Sequence, residues 1–375
     1  MDACRRCGWL PVNELFFTMD SFLDEAPARC EQEGIRAVEA FRRNPLVLRE
    51  SYLGAFNTSA SSHARFVRRM LLASRVPSAS LAWLRPFMGG THRAAFDRFL
   101  RQYAFWRGVR ARVSERDTWR RLTRTPLILM YHGVGRPGEV PSRYIVPRSR
   151  FREQMAWLYW AKYKVISLPE LVRGYSASVL MPPRAVILTF DDGYADNHAE
   201  ALPVLRRYKF PATFFLVSGA IGSSCTWSTD PNLAGRRMMT QTQIRQLLAE
   251  GMNIGAHTVS HTSLTAGSRK DPASDARISR EDLEHRFHRR ITTFAYPFGD
   301  CDSQAVTAVA RAGFHAACGS RSGRNDPATS LFELRRVEVR GTDSLARFMT
   351  MLCSATRRRP TRWATLSRPL GTIDR

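Results

Sequence analysis

Strand-like and helix-like segments alternate regularly from Pro126 to about residue 355. Short apolar runs rich in β-branched residues are followed by amphipathic stretches, an order typical of βαβ units with parallel strands. Because many such units follow one another, the pattern predicts an α/β fold whose sheet closes, or nearly closes, into a barrel. The predicted strands are 126–134, 164–168, 185–190, 212–217, 253–256, 293–296, 316–318 and 334–339. The predicted helices are 147–161, 169–175, 196–207, 241–250, 275–289, 303–312 and 344–355.

The segment before this alternation has helical spacing of its apolar residues instead. One predicted helix carries Phe66, Met70 and Leu71 as its apolar residues. A second follows Gly89 and Gly90, with Thr91 as its expected N-cap. Its apolar stripe comprises Phe96, Phe99, Leu100, Tyr103 and Trp106.

We therefore expect three regions in the chain. Residues 1–124 form a helical N-terminal extension that packs on the next domain, and residues 125–355 form the barrel. Residues 356–375 form a basic, poorly ordered tail. The sequence indicates no oligomeric state.

The chain is strongly basic, with a formal charge of +24 and a pI near 10.9. This excess comes from 53 arginines against four lysines, and the arginines are spread along the whole chain. A dedicated nucleic-acid-binding tail would concentrate them in one block, so we expect no specific nucleic-acid partner. A weak affinity for membrane surfaces is compatible with the charge.

Other features of the composition bear on the compartment. No apolar run reaches the roughly eighteen residues of a transmembrane helix, and the first residues lack the apolar core of a secretory signal. We therefore expect a cytoplasmic protein. The seven cysteines have no disulfide spacing, and Cys4 and Cys7 lack further ligands for a structural zinc ion, so free thiols are expected.

Two adjacent carboxylates, Asp191 and Asp192, end the predicted strand 185–190. Side chains on a regular strand point alternately to opposite faces, so the two can share a pocket only if the backbone leaves strand geometry there. Gly193 permits such a turn. By itself this stretch is equally well explained as an acidic turn that closes a strand.

Histidines follow two other predicted strands. His257 and His261 come after strand 253–256, and in a helical turn their spacing would place both imidazoles on one side. Two histidines and one aspartate form a ligand set suited to a catalytic zinc or a similar divalent ion. His132 lies near the end of the first predicted strand, where a lone histidine is more often structural.

Three motifs at these strand ends resemble those of one family. They are Thr-Phe-Asp-Asp-Gly at 189–193, His-Thr-Val-Ser-His at 257–261 and Tyr-Pro-Phe-Gly at 296–299. In this order they resemble the polysaccharide deacetylase family, the NodB-homology domain of carbohydrate esterase family 4, over residues 125–355. The resemblance implies a distorted (β/α) barrel of the NodB-homology type and a hydrolase that removes acetyl groups from a carbohydrate.

The resemblance also implies roles for individual residues. Asp192, His257 and His261 match the family's ligands for a divalent metal ion, most often zinc, and Asp191 matches its general base. The ion would polarise the acetamide oxygen and lower the pKa of a bound water, the nucleophile, towards about 7. The main-chain N–H of Phe298 would help to hold the oxyanion. The wall of the substrate groove is expected to comprise Tyr296, Pro297, Phe298 and Trp227.

The sequence departs from the commonest family pattern at two places. Ala295 replaces the arginine that steadies the catalytic aspartate, so that arginine is absent or supplied from elsewhere. The late Leu-x-His motif is also missing. With these two departures the sequence resembles the subgroup of bacterial poly-N-acetylglucosamine deacetylases. This similarity implies that His132 is the general acid.

The leading hypothesis is thus a metal-dependent deacetylase of an N-acetylated polysaccharide or oligosaccharide. An O-acetyl carbohydrate esterase on the same fold is an alternative, since the site would attack ester and amide carbonyls by the same route. A non-catalytic polyanion-binding module, based on the arginine excess, is a weaker one.

Overall fold

Seven parallel strands form a nearly closed barrel, as the alternating pattern predicts. The structure is a computed structural model, which describes residues 26–58, 61–265 and 272–354. The strand order around the barrel is β10-β1-β5-β6-β7-β8-β9, and a short strand, β4, adds to β5. A parallel bridge from Cys318 to Leu334, just before β10, brings the two edges of the sheet together.

The barrel strands and their helices alternate along the chain. The strands are β1 (Leu127–Tyr131), β2 (Gly133–Gly135), β3 (Ile145–Pro147), β4 (Lys164–Val165), β5 (Ala185–Phe190), β6 (Thr213–Leu216), β7 (Asn253–Ala256), β8 (Thr293–Ala295), β9 (Ala316–Cys318) and β10 (Arg336–Glu338). The N-terminal helices are α1 (Pro27–Arg43), α2 (Val47–Glu50), α3 (Ser62–Ala73), α4 (Ser78–Ala82), α5 (Gly90–Arg112) and α6 (Arg116–Thr123). The barrel helices are α7 (Arg148–Trp160), α8 (Leu168–Ser176), α9 (Leu202–Tyr208), α10 (Gln241–Ala249), α11 (Pro272–Phe287), α12 (Ser303–Arg311) and α13 (Leu345–Ser354).

The first predicted strand, 126–134, is wrong as a single element. The chain breaks at His132, so β1 belongs to the barrel while β2 pairs with β3 in a separate two-stranded sheet. β3 was not predicted, because a three-residue strand carries too little periodicity to be recognised. The break moves His132 out of the ladder and onto the rim of the barrel.

The parallel register places the carboxyl ends of the strands at one rim. Tyr131 pairs with Phe190, Phe190 with Phe214, and Ala256 with Phe294. The residues that follow these positions therefore emerge at the same height. In α/β folds the crevice outside the carboxyl ends of parallel strands is where ligands bind.

The helical extension has its own core, built around Trp106. The indole of Trp106 contacts the rings of Phe56, Phe105 and Trp119 at centroid distances of 4.7, 5.5 and 6.3 Å. Helices α1 and α5 approach closely through two glycines. A Cβ on Gly34 would lie 2.0 Å from the carbonyl oxygen of Phe105, and one on Gly108 would lie 1.9 Å from that of Glu31.

This extension packs on the amino ends of the strands, opposite the rim described above. The buried carboxylate of Asp326 accepts hydrogen bonds from the main-chain N–H groups of Asn57 (2.8 Å) and Thr58 (3.0 Å). The Asn57 amide also donates to the hydroxyl of Thr125, just before β1, at 3.0 Å. Burial raises the pKa of Asp326 to about 6, although these hydrogen bonds oppose the shift.

Two local predictions in the extension are wrong. Helix α5 starts at Gly90 with Gly89 as its N-cap, so Thr91 is not the cap. Phe66 and Met70 lie on α3 as predicted, but they face solvent, and the buried side of this helix carries Arg68 and Leu72 instead. The guanidinium of Arg68 lies over the ring of Phe56, which lets an arginine replace an apolar residue there.

Other sequence-based expectations concern the membrane and the cysteines. Among the described residues, no helix combines the length and hydropathy needed to cross a membrane. Five cysteines in the described ranges are free thiols: Cys30, Cys225, Cys301, Cys318 and Cys353. Cys4, Cys7 and the basic tail at 356–375 lie outside the described residues.

The contact between α1 and α5 can be tested at Gly108. In an ordinary helix interior, Gly→Ala stabilises by about 1 kcal/mol. Here we expect Gly108→Ala to lower the free energy of unfolding by about 2 kcal/mol, because the new methyl group overlaps the carbonyl of Glu31. Gly89→Ala, where a Cβ meets nothing within 4 Å, is the control and should change it by less than about 1 kcal/mol. Urea denaturation measures both, and a Gly108→Ala protein as stable as the wild type would contradict this packing.

Candidate active site

A tight turn after β5 separates the two adjacent aspartates. The N–H of Gly193 donates to the carbonyl of Asp191 at 2.9 Å, and Asp192 between them has a φ of +72°. This is a γ-turn of the rare, strained kind with positive φ. The turn ends the strand geometry between the two aspartates, as is required for both side chains to share one pocket. Both carboxylates are buried at the rim.

Asp192, His257 and His261 meet at this rim. The Nε2 atoms of the two histidines lie 3.3 and 3.2 Å from Oδ1 of Asp192, and one ligand atom from each residue lies within 4.8 Å of the others. All three side chains are buried. Oδ1 of Asp192 has no hydrogen-bond partner in the described part of the chain, although it faces two imidazole nitrogens. A buried carboxylate oxygen so placed fits a metal ion, whose charge would stabilise it.

Neighbouring groups fix the orientation of both imidazoles. Nδ1 of His257 lies 2.7 Å from the carbonyl oxygen of Ala295, so a proton on Nδ1 would leave the Nε2 lone pair directed at Asp192. His261 has a φ of +57°, and its ring stacks on the indole of Trp227 at 4.8 Å with an angle of 18°. Asp275 accepts a hydrogen bond from the N–H of Val259 at 3.3 Å and so supports the loop between the two histidines.

The electrostatics of the three side chains favour a bound cation. Burial acts to raise the pKa of Asp192, but His261 and His257, with a further contribution from His132, hold it well below the ordinary value. Burial acts to lower the pKa of His257, yet Asp192 and Asp191 outweigh it and raise that pKa. Burial lowers the pKa of His261.

Asp191 is held by an arginine from the last barrel strand. Nη1 and Nη2 of Arg336, in β10, donate to Oδ1 and Oδ2 of Asp191 at 2.6 and 2.8 Å. Nε of Arg336 donates to the carbonyl of Gly319 at 2.9 Å, and both members of the pair are buried. The arginine missing at Ala295 is thus supplied from elsewhere in the chain.

This ion pair sets the charge state of Asp191. Burial alone would raise its pKa, but the charge and hydrogen bonds of Arg336, with His257 and His132, lower the pKa below the ordinary value. Asp191 is therefore a carboxylate at neutral pH. Two-point contact with a guanidinium also fixes the orientation of the carboxylate, which a lysine cannot do.

Sequence reasoning missed Arg336, although a signal was present. The predicted strand 334–339 was expected to lie in the barrel, where a charged side chain at a buried position requires a partner. In a chain with 53 arginines this one did not stand out.

His132 lies beside the aspartates, at the end of β1. The side-chain amide of Asn197 donates to its carbonyl oxygen at 2.7 Å, and its imidazole makes an edge-on contact with the ring of Tyr144 at 4.9 Å. The imidazole is half-buried, as a group that exchanges protons with a substrate requires.

The four residues expected in the groove wall differ in their exposure. Tyr296 is wrong as a wall residue, because it is fully buried and its hydroxyl donates to the carbonyl of Phe332 at 3.0 Å. Pro297 is buried as well. Phe298 is 58% exposed with a φ of +59°, and its ring meets His261 edge-on at 4.7 Å. Trp227 is half-buried and contacts His261, so its position supports a metal ligand as well as a wall.

Residues 179–317 match the sequence model of the family described as polysaccharide deacetylase. Over this segment, which is less than half of the chain, the protein is similar to polysaccharide deacetylases. The chain is 26% identical over 212 residues to YxkH of Bacillus subtilis, whose name places that protein among polysaccharide deacetylases. That alignment covers 56% of this chain and 70% of YxkH. The chain is also 27% identical over 179 residues to the poly-β-1,6-N-acetyl-D-glucosamine N-deacetylase of Staphylococcus aureus. This second alignment covers 45% of the chain and 59% of that enzyme.

Solved structures share the fold of this chain. IcaB from Ammonifex degensii superposes with a TM-score of 0.54 at 24% identity, covering 62% of this chain and 97% of that one. The Streptococcus pyogenes deacetylase PplD, solved in complex with acetate, gives a TM-score of 0.52 at 24% identity, covering 61% and 98%. At these identities the likeness establishes the barrel fold.

The pairing of Arg336 with Asp191 predicts a pH effect. Arg336→Gln removes the charge that lowers the pKa of Asp191, so burial would raise that pKa. The acid limb of the pH profile of acetate release should move to higher pH, since the carboxylate form of Asp191 is then lost at a higher pH. Arg336→Lys keeps the charge and should shift the limb less while lowering kcat. An unchanged acid limb in a folded Arg336→Gln protein, with the Lys variant equal to wild type, would show that Arg336 does not set the pKa.

Proposed function

We propose that this protein is a metal-dependent hydrolase that removes N-acetyl groups from an N-acetylated polysaccharide or oligosaccharide. The observation that carries the proposal is the arrangement at the rim: an ionised carboxylate held by Arg336 lies next to a cluster of one aspartate and two histidines. Deacetylation of an amide requires a water to be deprotonated, negative charge to be stabilised and an amine to be protonated. The rim offers a candidate group for each requirement.

Asp192, His257 and His261 would hold a divalent ion, for which zinc is the leading candidate. One carboxylate and two neutral imidazoles with open positions form a common catalytic ligand set. When bound, such an ion polarises the carbonyl of the acetyl group and makes a water molecule more acidic.

Asp191 and His132 would move the protons. Asp191 takes a proton from the attacking water as the water oxygen forms a bond to the acetyl carbon. The two hydrogen bonds from Arg336 leave each carboxylate oxygen of Asp191 a second lone pair that can accept this proton. His132 then donates a proton to the nitrogen as the C–N bond breaks. The products are acetate and a free amine on the sugar.

The oxyanion and the sugar would meet Phe298 on the other side of the rim. Within the described residues the main-chain N–H of Phe298 donates no hydrogen bond, and the positive φ presents it in a tight turn. A free N–H is suited to stabilise developing negative charge. The exposed ring of Phe298 offers an apolar face for a sugar.

The name of the Staphylococcus aureus relative describes an N-deacetylase of poly-β-1,6-N-acetyl-D-glucosamine, which favours amide over ester hydrolysis here. An O-acetyl esterase is the second candidate, since the same groups attack an ester. We further propose that residues 125–355 form the catalytic domain, that 1–124 form the helical extension and that the protein acts in the cytoplasm.

An acetate-release screen tests the proposed function. The purified full chain should release acetate from N-acetylglucosamine oligomers and far less from acetylated xylan. Chelation should abolish release, and added zinc should restore it. Release from xylan alone would instead identify an O-acetyl esterase. A protein that binds stoichiometric metal but releases acetate from neither substrate would contradict hydrolysis.

His132→Ala tests the general acid. We expect the variant to bind metal with wild-type stoichiometry and to lose about 100-fold or more in kcat, because the amine leaves without a proton donor. His315→Ala, at an exposed position before β9, is the matched control and should keep wild-type turnover. Metal analysis and acetate release measure both variants. Near-normal turnover in a folded His132→Ala protein would remove His132 from the mechanism.

A further inference from the structure

An exposed aromatic segment lies between α4 and α5 of the helical extension. Residues 83–87, Trp-Leu-Arg-Pro-Phe, are all exposed, and we call this segment the aromatic corner. Trp83 is 73% exposed and Phe87 is 71% exposed, and their rings contact each other edge-on at 5.7 Å. The two large aromatic side chains thus pack mainly on each other. Exposing them to water contributes little to the stability of the chain.

The aromatic corner has a defined shape. Arg85, in its middle, forms a two-point ion pair with Asp97 of α5, with distances of 2.9 and 3.1 Å. The glycines that follow, Gly89 and Gly90, have open space around them, since an added Cβ would meet nothing within 4 Å at either position. The corner is therefore exposed at the surface of the extension, and the ion pair between Arg85 and Asp97 holds it against α5.

The sequence around the corner is basic. Residues 51–96 contain no aspartate or glutamate, and of their six arginines Arg75 and Arg93 are exposed, whereas Arg68 is buried and Arg85 pairs with Asp97. Residues 26–124 together contain 20 arginines and seven acidic residues, a net charge of +13. Residues 1–25 carry a net charge of −3, so the whole extension, 1–124, has a net charge of +10.

We propose that the aromatic corner docks the protein on an anionic lipid bilayer. Tryptophan and phenylalanine beside arginines are the residues that bind the headgroup region, where apolar rings enter the boundary and cations meet lipid phosphates. Electrostatic attraction alone gives reversible binding, and the inserted rings add an apolar contribution that salt does not screen. The charge complementarity with anionic lipids favours a bilayer over a protein partner.

Docking through the corner leaves the candidate active site open. The extension packs on the amino ends of the strands, and the site lies at their carboxyl ends. A bilayer against the extension therefore meets the opposite side of the barrel from the catalytic rim.

Co-sedimentation of the full chain with protein-free vesicles tests the proposal. Wild type should bind vesicles that contain anionic phosphatidylglycerol, and bind pure phosphatidylcholine much more weakly. The Trp83→Ala/Phe87→Ala double variant keeps every charge, and we expect its affinity for anionic vesicles to fall roughly tenfold or more. Trp160→Ala is the matched control, because Trp160 on the barrel is 72% exposed, and its affinity should stay within about twofold of wild type.

Several outcomes would overturn the assignment. Wild type that fails to sediment with protein-free vesicles would exclude a lipid partner. An unchanged affinity of the double variant would exclude the aromatic corner, and an equal loss in Trp160→Ala would point to unspecific adhesion of aromatic surface. Circular dichroism and acetate release from a soluble oligomer, both expected to match wild type, show that the double variant is folded.

Discussion

The buried ion pair between Asp191 and Arg336 is the interaction on which the rest of the site depends. It joins the end of β5 to β10 across the intervening β1, close to where the barrel closes. Breaking such a pair leaves an uncompensated buried charge, at a cost of about 3–5 kcal/mol. The pair therefore does two things at once: it holds the edges of the sheet in place, and it keeps one aspartate ionised and oriented. The γ-turn at Asp192 then lets the neighbouring carboxylate face the histidines instead.

Much of the barrel and of the ligand set was predictable from sequence. Strand β5, strand β7 and strand β9 have the predicted bounds, because each is an apolar run bounded by clear turn residues. Asp192, His257 and His261 follow strand ends, and parallel strands bring their carboxyl ends to one rim. Arg336 was not predictable in the same way, since its partner lies 145 residues away and arginine is frequent throughout this chain. Tyr296 was assigned to the groove because spacing alone cannot show which side of a turn is covered by another loop.

The molecule places its proposed activities at opposite ends of the barrel. The rim at the carboxyl ends carries buried, charged and hydrogen-bonded groups with one exposed aromatic ring, Phe298. The extension at the amino ends carries a net charge of +10 and exposed apolar residues of its own. The hydrogen bonds at Asp326 connect it to the barrel, so a bilayer bound to the extension and a sugar bound at the rim would occupy separate surfaces.

The central claim is that the two adjacent aspartates have different roles, with Asp191 as the base and Asp192 as a metal ligand. Isothermal titration calorimetry with zinc on two isosteric variants tests this claim most directly. Asp191→Asn should bind zinc with an affinity within about tenfold of wild type while it releases almost no acetate, because Asp191 contacts Arg336 and not the ligand cluster. Asp192→Asn should bind zinc about 100-fold more weakly or worse, because a charged ligand is lost. Equal loss of zinc binding in both variants, or full zinc binding and turnover in Asp192→Asn, would contradict the account.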